Sequence, residues 1–191
     1  MEKPNINLLA VIVAVPVIGM TIIAPALTII KNDLNISFEN TQLILTLYFT
    51  FLAFGQILSG PFSDKYGRKP ILILGASIYS ISAFFASLSS NIEILLILRC
   101  FQGFGAAACL SVGRTILSDC YEIKEAAKEM SKMTAIMAVI PISCFIFGGF
   151  LAEFLGWRTN LLALGLISLI LIIAMSFLLN ETLIKKAKSV S

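Results

Sequence analysis

The stretch Gly60-Pro-Phe-Ser-Asp-Lys-Tyr-Gly-Arg-Lys-Pro70 separates two long apolar runs of the sequence. A polar connection of about ten residues can join only two neighbouring, antiparallel membrane helices. We expect Gly60 to permit close helix approach and Gly67 to adopt the positive φ that a tight turn needs. Asp64 requires a positively charged partner or a helix N-terminus. The loop is assigned to the cytoplasmic side by its three cations, Lys65, Arg68 and Lys69.

The composition is that of an integral membrane protein. Hydrophobic residues make up 58% of the chain, charged residues 13%, and the mean hydropathy is +0.95. We therefore expect a lipid bilayer around the protein and one all-α domain over residues 1–191. Each apolar run is close to the roughly 20 residues that cross a bilayer. The six predicted transmembrane helices are 8–30, 41–60, 70–89, 92–116, 130–152 and 160–179.

Several classes of function are disfavoured by what the sequence contains. It has no histidine, the commonest metal ligand and general base. Its four cysteines stand singly, without metal-binding or disulfide spacing. We therefore predict no enzyme activity, no metal and no cofactor. The net charge of +3 is too small to indicate a nucleic-acid partner.

The distribution of lysine and arginine predicts the orientation. Ten of these residues fall on the side of the two termini and only Lys31 and Arg158 on the other, while Arg99 and Arg114 lie inside the fourth apolar run. Since cations are retained in cytoplasmic loops, both termini are predicted to be cytoplasmic, in a bacterial inner membrane. The segment 119–132 is interpreted as a solvated connector, although the i+4 spacing of its charges also suggests a short surface helix leading into the fifth apolar run. Residues 183–191 are interpreted as a short basic tail.

Two motifs resemble the major facilitator superfamily. The loop spacing Gly-x-x-x-Asp-Lys-x-Gly-Arg-Lys is similar to that superfamily's connection between the second and third helices. Arg99-Cys-Phe-Gln102-Gly103 resembles the Arg-x-x-Gln-Gly motif of its fourth helix. A cation inside a membrane helix costs about 2.5–3.5 kcal/mol, so Arg99 should face the bundle interior. The resemblance implies one six-helix half, built as a 3+3 inverted repeat, and a role for Arg99 in proton coupling.

The fifth apolar run carries a third motif. Pro141 and the pair Gly148-Gly149, followed by Gly156-Trp157-Arg158, resemble the antiporter motif, although Cys144-Phe145 replace its Gly-Pro step. Pro25 and Gln42 add a resemblance to the bicyclomycin and chloramphenicol exporter branch. Many of its members carry an aspartate where this chain has Thr21. By the same analogy, we expect the substrate cavity to be lined by Thr21, Gln42, Arg99, Gln102 and residues near Pro141.

These resemblances imply a transporter of small molecules, which in complete relatives exports drugs by proton antiport. The chain has the length of one half of such a transporter, and no carboxylate is found deep in its apolar runs. Three interpretations compete: a transporter half that assembles with itself or with a separately encoded second half, a truncated product without transport activity, and an enzyme or receptor on an unrelated six-helix scaffold. The third has almost no support, because the sequence contains no nucleophile–base pair, metal cluster or nucleotide loop. With no second half, Asp64 is expected to pair with Arg114.

Overall fold

The computed structural model describes residues 4–183, and every regular element in that range is a helix. Six stretches are long and apolar enough to cross a membrane. The first stretch is broken into two helices, and the other five are continuous. The helices are α1 Ile6–Thr21, α2 Leu27–Asp33, α3 Phe38–Tyr66, α4 Arg68–Ser87, α5 Ile92–Cys120, α6 Ile123–Leu155 and α7 Trp157–Leu178.

The break in the first stretch lies at a 3₁₀ turn, Ala24–Ala26, between α1 and α2. Pro25 at its centre has no backbone N–H, so the hydrogen-bond ladder of α1 cannot continue through it. The sequence pattern predicted one membrane helix over 8–30, and Pro25 divides that stretch so that α2 is a separate segment of seven residues.

The solvated connector predicted at 119–132 is wrong for most of its length. The helix α6 begins at Ile123, seven residues before the predicted start at 130. Lys132 contacts Glu129 one turn earlier, with 2.7 Å between Nζ and Oε1. Such a pair supports a helix that extends beyond the apolar run. The basic tail predicted at 183–191 lies, after its first residue, outside the described range.

The helix α5 is the centre of the bundle, and small residues let its neighbours approach closely. A Cβ added at Gly103 would stand 2.2 Å from the carbonyl oxygen of Tyr48 in α3. A Cβ at Gly105 would stand 2.5 Å from the carbonyl oxygen of Gly75 in α4. Helix association in membranes depends on such close packing, because lipid provides no hydrophobic drive between helices.

Two connections have the same unusual backbone. Gly67 joins α3 to α4 with φ 108° and ψ 151°, and Gly156 joins α6 to α7 with φ 86° and ψ 152°. A positive φ of this kind favours glycine. The two turns lie at opposite ends of the bundle. We call the end that holds Pro4, Gly67 and Tyr121 the terminal end, and the end that holds Asp33 and Gly156 the distal end.

Candidate functional site

The most deeply buried charge in the described chain is Arg99, whose side chain is completely enclosed. Its Nε donates to the carbonyl oxygen of Ile44 at 3.4 Å, one terminal nitrogen donates to Oε1 of Gln102 at 2.5 Å, and the other donates to the carbonyl oxygen of Gly19 at 3.2 Å. The guanidinium also lies 4.3 Å from the ring centre of Tyr48. Arg99 therefore joins α1, α3 and α5.

No carboxylate pairs with Arg99 among the described residues. Thr21 donates its hydroxyl to the carbonyl of Val17 within its own helix, at 2.8 Å. The one buried acid in the described range is Glu129, which is 9% exposed and lies near the terminal end of α6. The charge of Arg99 is thus balanced by carbonyl and amide oxygens and an aromatic ring.

The carbonyl groups around the broken first helix receive donors from three other helices. The Tyr48 hydroxyl donates to Pro16 at 3.0 Å, and Arg99 donates to Gly19. The side-chain amide of Asn160 donates to the carbonyls of Ile22 at 2.8 Å and Gly148 at 3.0 Å. Gly19 and Ile22 lie where α1 ends, and a helix end leaves carbonyls without intrahelical partners, which burial makes necessary. These side chains hold the break in a defined shape.

The Gly148-Gly149 pair of α6 contacts this same break, but its two members differ. A Cβ at Gly148 would stand 2.3 Å from the carbonyl oxygen of Ile22, whereas one at Gly149 would make an ordinary 3.6 Å contact with Pro25. Gly148 is therefore required for close packing of α6 on the break. Pro141 is half-buried inside the continuous helix α6, two turns earlier.

At the terminal end, Arg68 organises a cluster of charges. Its Nε donates to Asp119 of α5 at 2.9 Å, a terminal nitrogen donates to Ser63 at 2.7 Å, and the same nitrogen pairs with Asp64. The expected ion pair between Asp64 and Arg114 is not formed. Arg68 lies one turn after Asp64, across Gly67, and satisfies it locally, while Arg114 is exposed on α5.

A further acid, Glu181, completes this Arg68 cluster from beyond α7. Its carboxylate accepts from the backbone N–H groups of Arg68 at 2.9 Å and Lys69 at 3.1 Å, at the N-terminus of α4. Burial alone would raise the pKa of Glu181, but these bonds, with those from Leu183 and Thr182, outweigh burial and hold its pKa below the ordinary value. The ammonium of Lys69 donates to the carbonyl of Ser176 at 2.8 Å.

At the distal end, Arg158 organises a second cluster. One terminal nitrogen of Arg158 donates to Oδ2 of Asp33 at 2.8 Å, and the other donates to the carbonyl of Ser89 at 3.2 Å. The indole N–H of Trp157 donates to the same oxygen of Asp33 at 3.0 Å. The guanidinium of Arg158 also lies over the ring of Trp157, 4.3 Å from its centre. This Arg158 cluster joins α2, α7 and the turn before α5.

Gly60 was predicted to allow close packing of helices, but no other helix of the described chain approaches its Cβ position. A Cβ built on it would meet nothing within 4 Å, so the expectation of a close approach there is wrong within this chain. At 100° per residue, Gly60 shares one face of α3 with Gln42, Thr46 and Ala53, all three of them exposed. Leu58 is 45% exposed and lies on the other side of the helix.

An open groove of about 680 Å³ lies between α1 and α6. Its walls are apolar except for Ser143 and Cys144, and no charged residue lines it. Of the residues predicted for a cavity, Gln42 is exposed on α3, Thr21 is bonded within α1, and Arg99 and Gln102 are fully buried. The groove residues are Val11, Ile18, Ala135, Ile136, Val139, Ile140, Ser143 and Cys144.

Comparison with known families identifies this arrangement. Residues 9–190 match the Major Facilitator Superfamily, and the chain belongs to that superfamily of membrane transporters, which are not enzymes. Its relatives include a bicyclomycin resistance protein homolog of Haemophilus influenzae, 30% identical over 91% of this chain and 44% of the relative. A chloramphenicol resistance protein of Pseudomonas aeruginosa is 33% identical over 78% of this chain and 36% of the relative.

Comparison with solved structures identifies the same fold. The chain resembles a bacterial homolog of the human lysosomal transporter Spinster, in an inward-facing, occupied conformation, with a TM-score of 0.81 at 22% identity. The match covers 93% of this chain and 44% of that structure. The chain therefore spans about half the length of the proteins that it matches, and its fold is a six-helix half of the superfamily fold.

Proposed function

We propose that this chain is one half of an exporter of small molecules, with both termini in the cytoplasm of a bacterial cell and a second six-helix half packed against α3. The observation that carries the proposal is the uncovered Gly60. At seven other glycines within helices, a Cβ would come closer than 3.0 Å to a neighbouring helix, and at Gly60 it would meet nothing. Pro61 follows Gly60 directly and disfavours a Cβ at this position, and a glycine here also allows a helix from outside the described chain to pack closely on α3.

The groove between α1 and α6 supports an uncharged, largely apolar substrate. It offers apolar walls, one hydroxyl and one thiol, and it has no carboxylate to attract a cation. The positive charge of Arg99 is enclosed and does not reach the groove surface. Two relatives are named for resistance to bicyclomycin and chloramphenicol, which supports a drug-like solute for this chain as well.

The second part of the proposal concerns which half of the transporter holds the carboxylate that carries the proton. Exchange of a substrate for a proton normally needs a titratable carboxylate inside the membrane. Thr21 occupies the relevant position in α1, and Glu129 lies near the terminal end. We therefore place the carboxylate in the second half. The same observation favours an alternative function, namely a six-helix protein that does not transport when it is alone.

The test is accumulation of chloramphenicol in bacterial cells that lack their own exporters and express this chain alone or together with the second half of the Haemophilus relative. We expect lower accumulation only in the second case, and only while the pH gradient is maintained. Gly60→Trp should abolish the effect, because the indole blocks the docking face. Leu58→Trp, a change of similar bulk on the other side of α3, should preserve it.

Two results would contradict the proposal. Lower accumulation with the chain alone, dependent on the pH gradient, would show that no second half is needed. Equal accumulation in all cells, with both polypeptides present in the membrane, would support the alternative of a chain without transport activity.

A further inference from the structure

The Arg68 and Arg158 clusters are built in the same way at the two ends of the bundle. In each case, a long helix ends at a glycine with positive φ, and the next helix starts at the following residue. An arginine in the first turn of that next helix then reaches an aspartate: Arg68 reaches Asp119, and Arg158 reaches Asp33. The distances between nitrogen and oxygen are 2.9 Å and 2.8 Å.

The partners also correspond in the order of the chain. The first three membrane stretches end with α4, and the second three begin with α5. Asp33 is the last residue of α2, in the first stretch of the first unit, and Asp119 is next to last in α5, the first stretch of the second unit. Each arginine therefore belongs to one unit and pairs with the aspartate of the other. This reciprocal pairing relates the two clusters by the inverted repeat of the fold.

The Arg158 cluster contacts a short segment that a 3₁₀ turn separates from the rest of its membrane stretch. The helix α2 has seven residues and is separated from α1 by the proline-containing turn. Its middle is anchored by Ile30, which is completely buried, and its end by Asp33. Hinges are often found at the ends of helices, and the bonds of Asp33 to Trp157 and Arg158 connect the end of α2 to α7.

We propose that Asp33, Trp157 and Arg158 are positioning residues that hold α2 closed against α7, and that release of this cluster opens the distal end of the substrate path. The role in a substrate path rests on the proposed function. The closed position of α2 does not, and it can be measured without transport.

The experiment measures how fast a buried cysteine on α2 reacts with a maleimide. The full chain, with its four native cysteines replaced and Ile30→Cys introduced, is purified and placed in lipid nanodiscs, where both faces are accessible. Asp33→Asn and Arg158→Gln should each raise the labelling rate about fivefold, as expected for loss of a partly exposed charge pair. Their combination should react no faster than either alone, since both changes break the same contact.

Three controls separate release of α2 from general loosening. Leu117→Cys, buried at the terminal end of α5, should keep its slow labelling in Asp33→Asn. Asp119→Asn should leave the labelling of Ile30→Cys unchanged, and so should Glu93→Gln, which removes an exposed acid at the distal end. If Ile30→Cys does not fold, Ala26→Cys, buried in the turn before α2, is the smaller replacement.

The proposal is overturned by an unchanged labelling rate in Asp33→Asn, by additive effects in the double variant, or by equal acceleration at Leu117→Cys. None of these results depends on efflux. A chain that fails to export chloramphenicol can still show the predicted labelling, and a chain that exports it can still fail the labelling test.

Discussion

Replacing Gly103 by alanine should separate α5 from α3, and replacing Gly60 by alanine should not. The added Cβ at Gly103 would stand 2.2 Å from the carbonyl oxygen of Tyr48, 3.1 Å from its carbonyl carbon and 3.2 Å from the amide nitrogen of Leu52. All three are backbone atoms, so no side-chain rotation can relieve the contact. An ordinary contact requires about 1 Å more, which only a shift of one helix against the other can provide.

The magnitude follows from two opposing effects. Overpacking of a close-packed interior costs about 3 kcal/mol when the backbone must move. Alanine in a helix gains about 1 kcal/mol over glycine, which leaves a net loss of about 2 kcal/mol for Gly103→Ala. At Gly60 no atom of another helix lies within 4 Å of the added Cβ, but Pro61 follows directly and disfavours helical backbone in a preceding residue that carries a Cβ, which offsets the gain. For a chain of this size, the midpoint should fall by about 4–8 °C in Gly103→Ala and change by less than about 2 °C in Gly60→Ala.

The assay is thermal unfolding of the purified full chain in detergent, followed by the loss of its monodisperse peak after heating. The two variants carry the same substitution in helices of the same bundle, so each serves as the control of the other. Shifts of the same sign and size in both variants would refute the close contact between α5 and α3. If a second half is present in the sample and covers Gly60, Gly60→Ala should instead weaken its association.

Three further predictions follow from the buried and terminal charges. Arg99→Lys should lower the thermal midpoint by several degrees, because one ammonium cannot reach acceptors on α1, α3 and α5 together. As a control, Arg114→Lys, at an exposed position, should leave the midpoint unchanged. The folded pKa of Glu181 lies below its ordinary value of 4.5, so the stability from its carboxylate is complete above that value and is lost as the pH falls through the folded pKa. The difference in thermal midpoint between the wild type and Glu181→Gln should therefore be present at pH 7 and vanish under acid conditions. Reporter fusions after Asp33 and Asp119 should indicate opposite sides of the membrane, with Asp119 in the cytoplasm, and the same side for both would contradict the predicted topology.

The six membrane stretches could be predicted from the sequence because each depends on one local property. An apolar run of sufficient length must become a helix in lipid, where every backbone polar group has to be bonded within the segment. The turn at Gly67 was also predictable, since a glycine between two helices in a short loop indicates a positive φ. The boundaries were less accurate. A solvated connector was preferred to a surface helix before the fifth apolar run because the first two turns of α6 are polar and extend beyond that run.

The charge partners could not be predicted, because they depend on which helix ends meet in space. Asp64 was assigned to Arg114, but Arg68 reaches it across the turn and also contacts Asp119. Glu181 was not predicted, although an acid just after the last membrane stretch, on the side of the basic loop, was a usable signal. Asn160 carried no such signal. A lone asparagine near a helix start resembles a surface residue, and only the fold brings it to the broken helix.

The position of Arg99 explains how a chain with an enclosed cation can remain folded in a membrane. Three acceptors surround the guanidinium, and two of them are backbone carbonyls of other helices. The carbonyl of Gly19 lies in the last turn of α1, where the break at Pro25 leaves oxygens without intrahelical partners. The break and the arginine therefore stabilise each other: the break provides an acceptor, and Arg99 provides the donor that a broken helix lacks. A change at Pro25 that restores a continuous helix should remove part of this support, so it should destabilise the chain although it improves the helix.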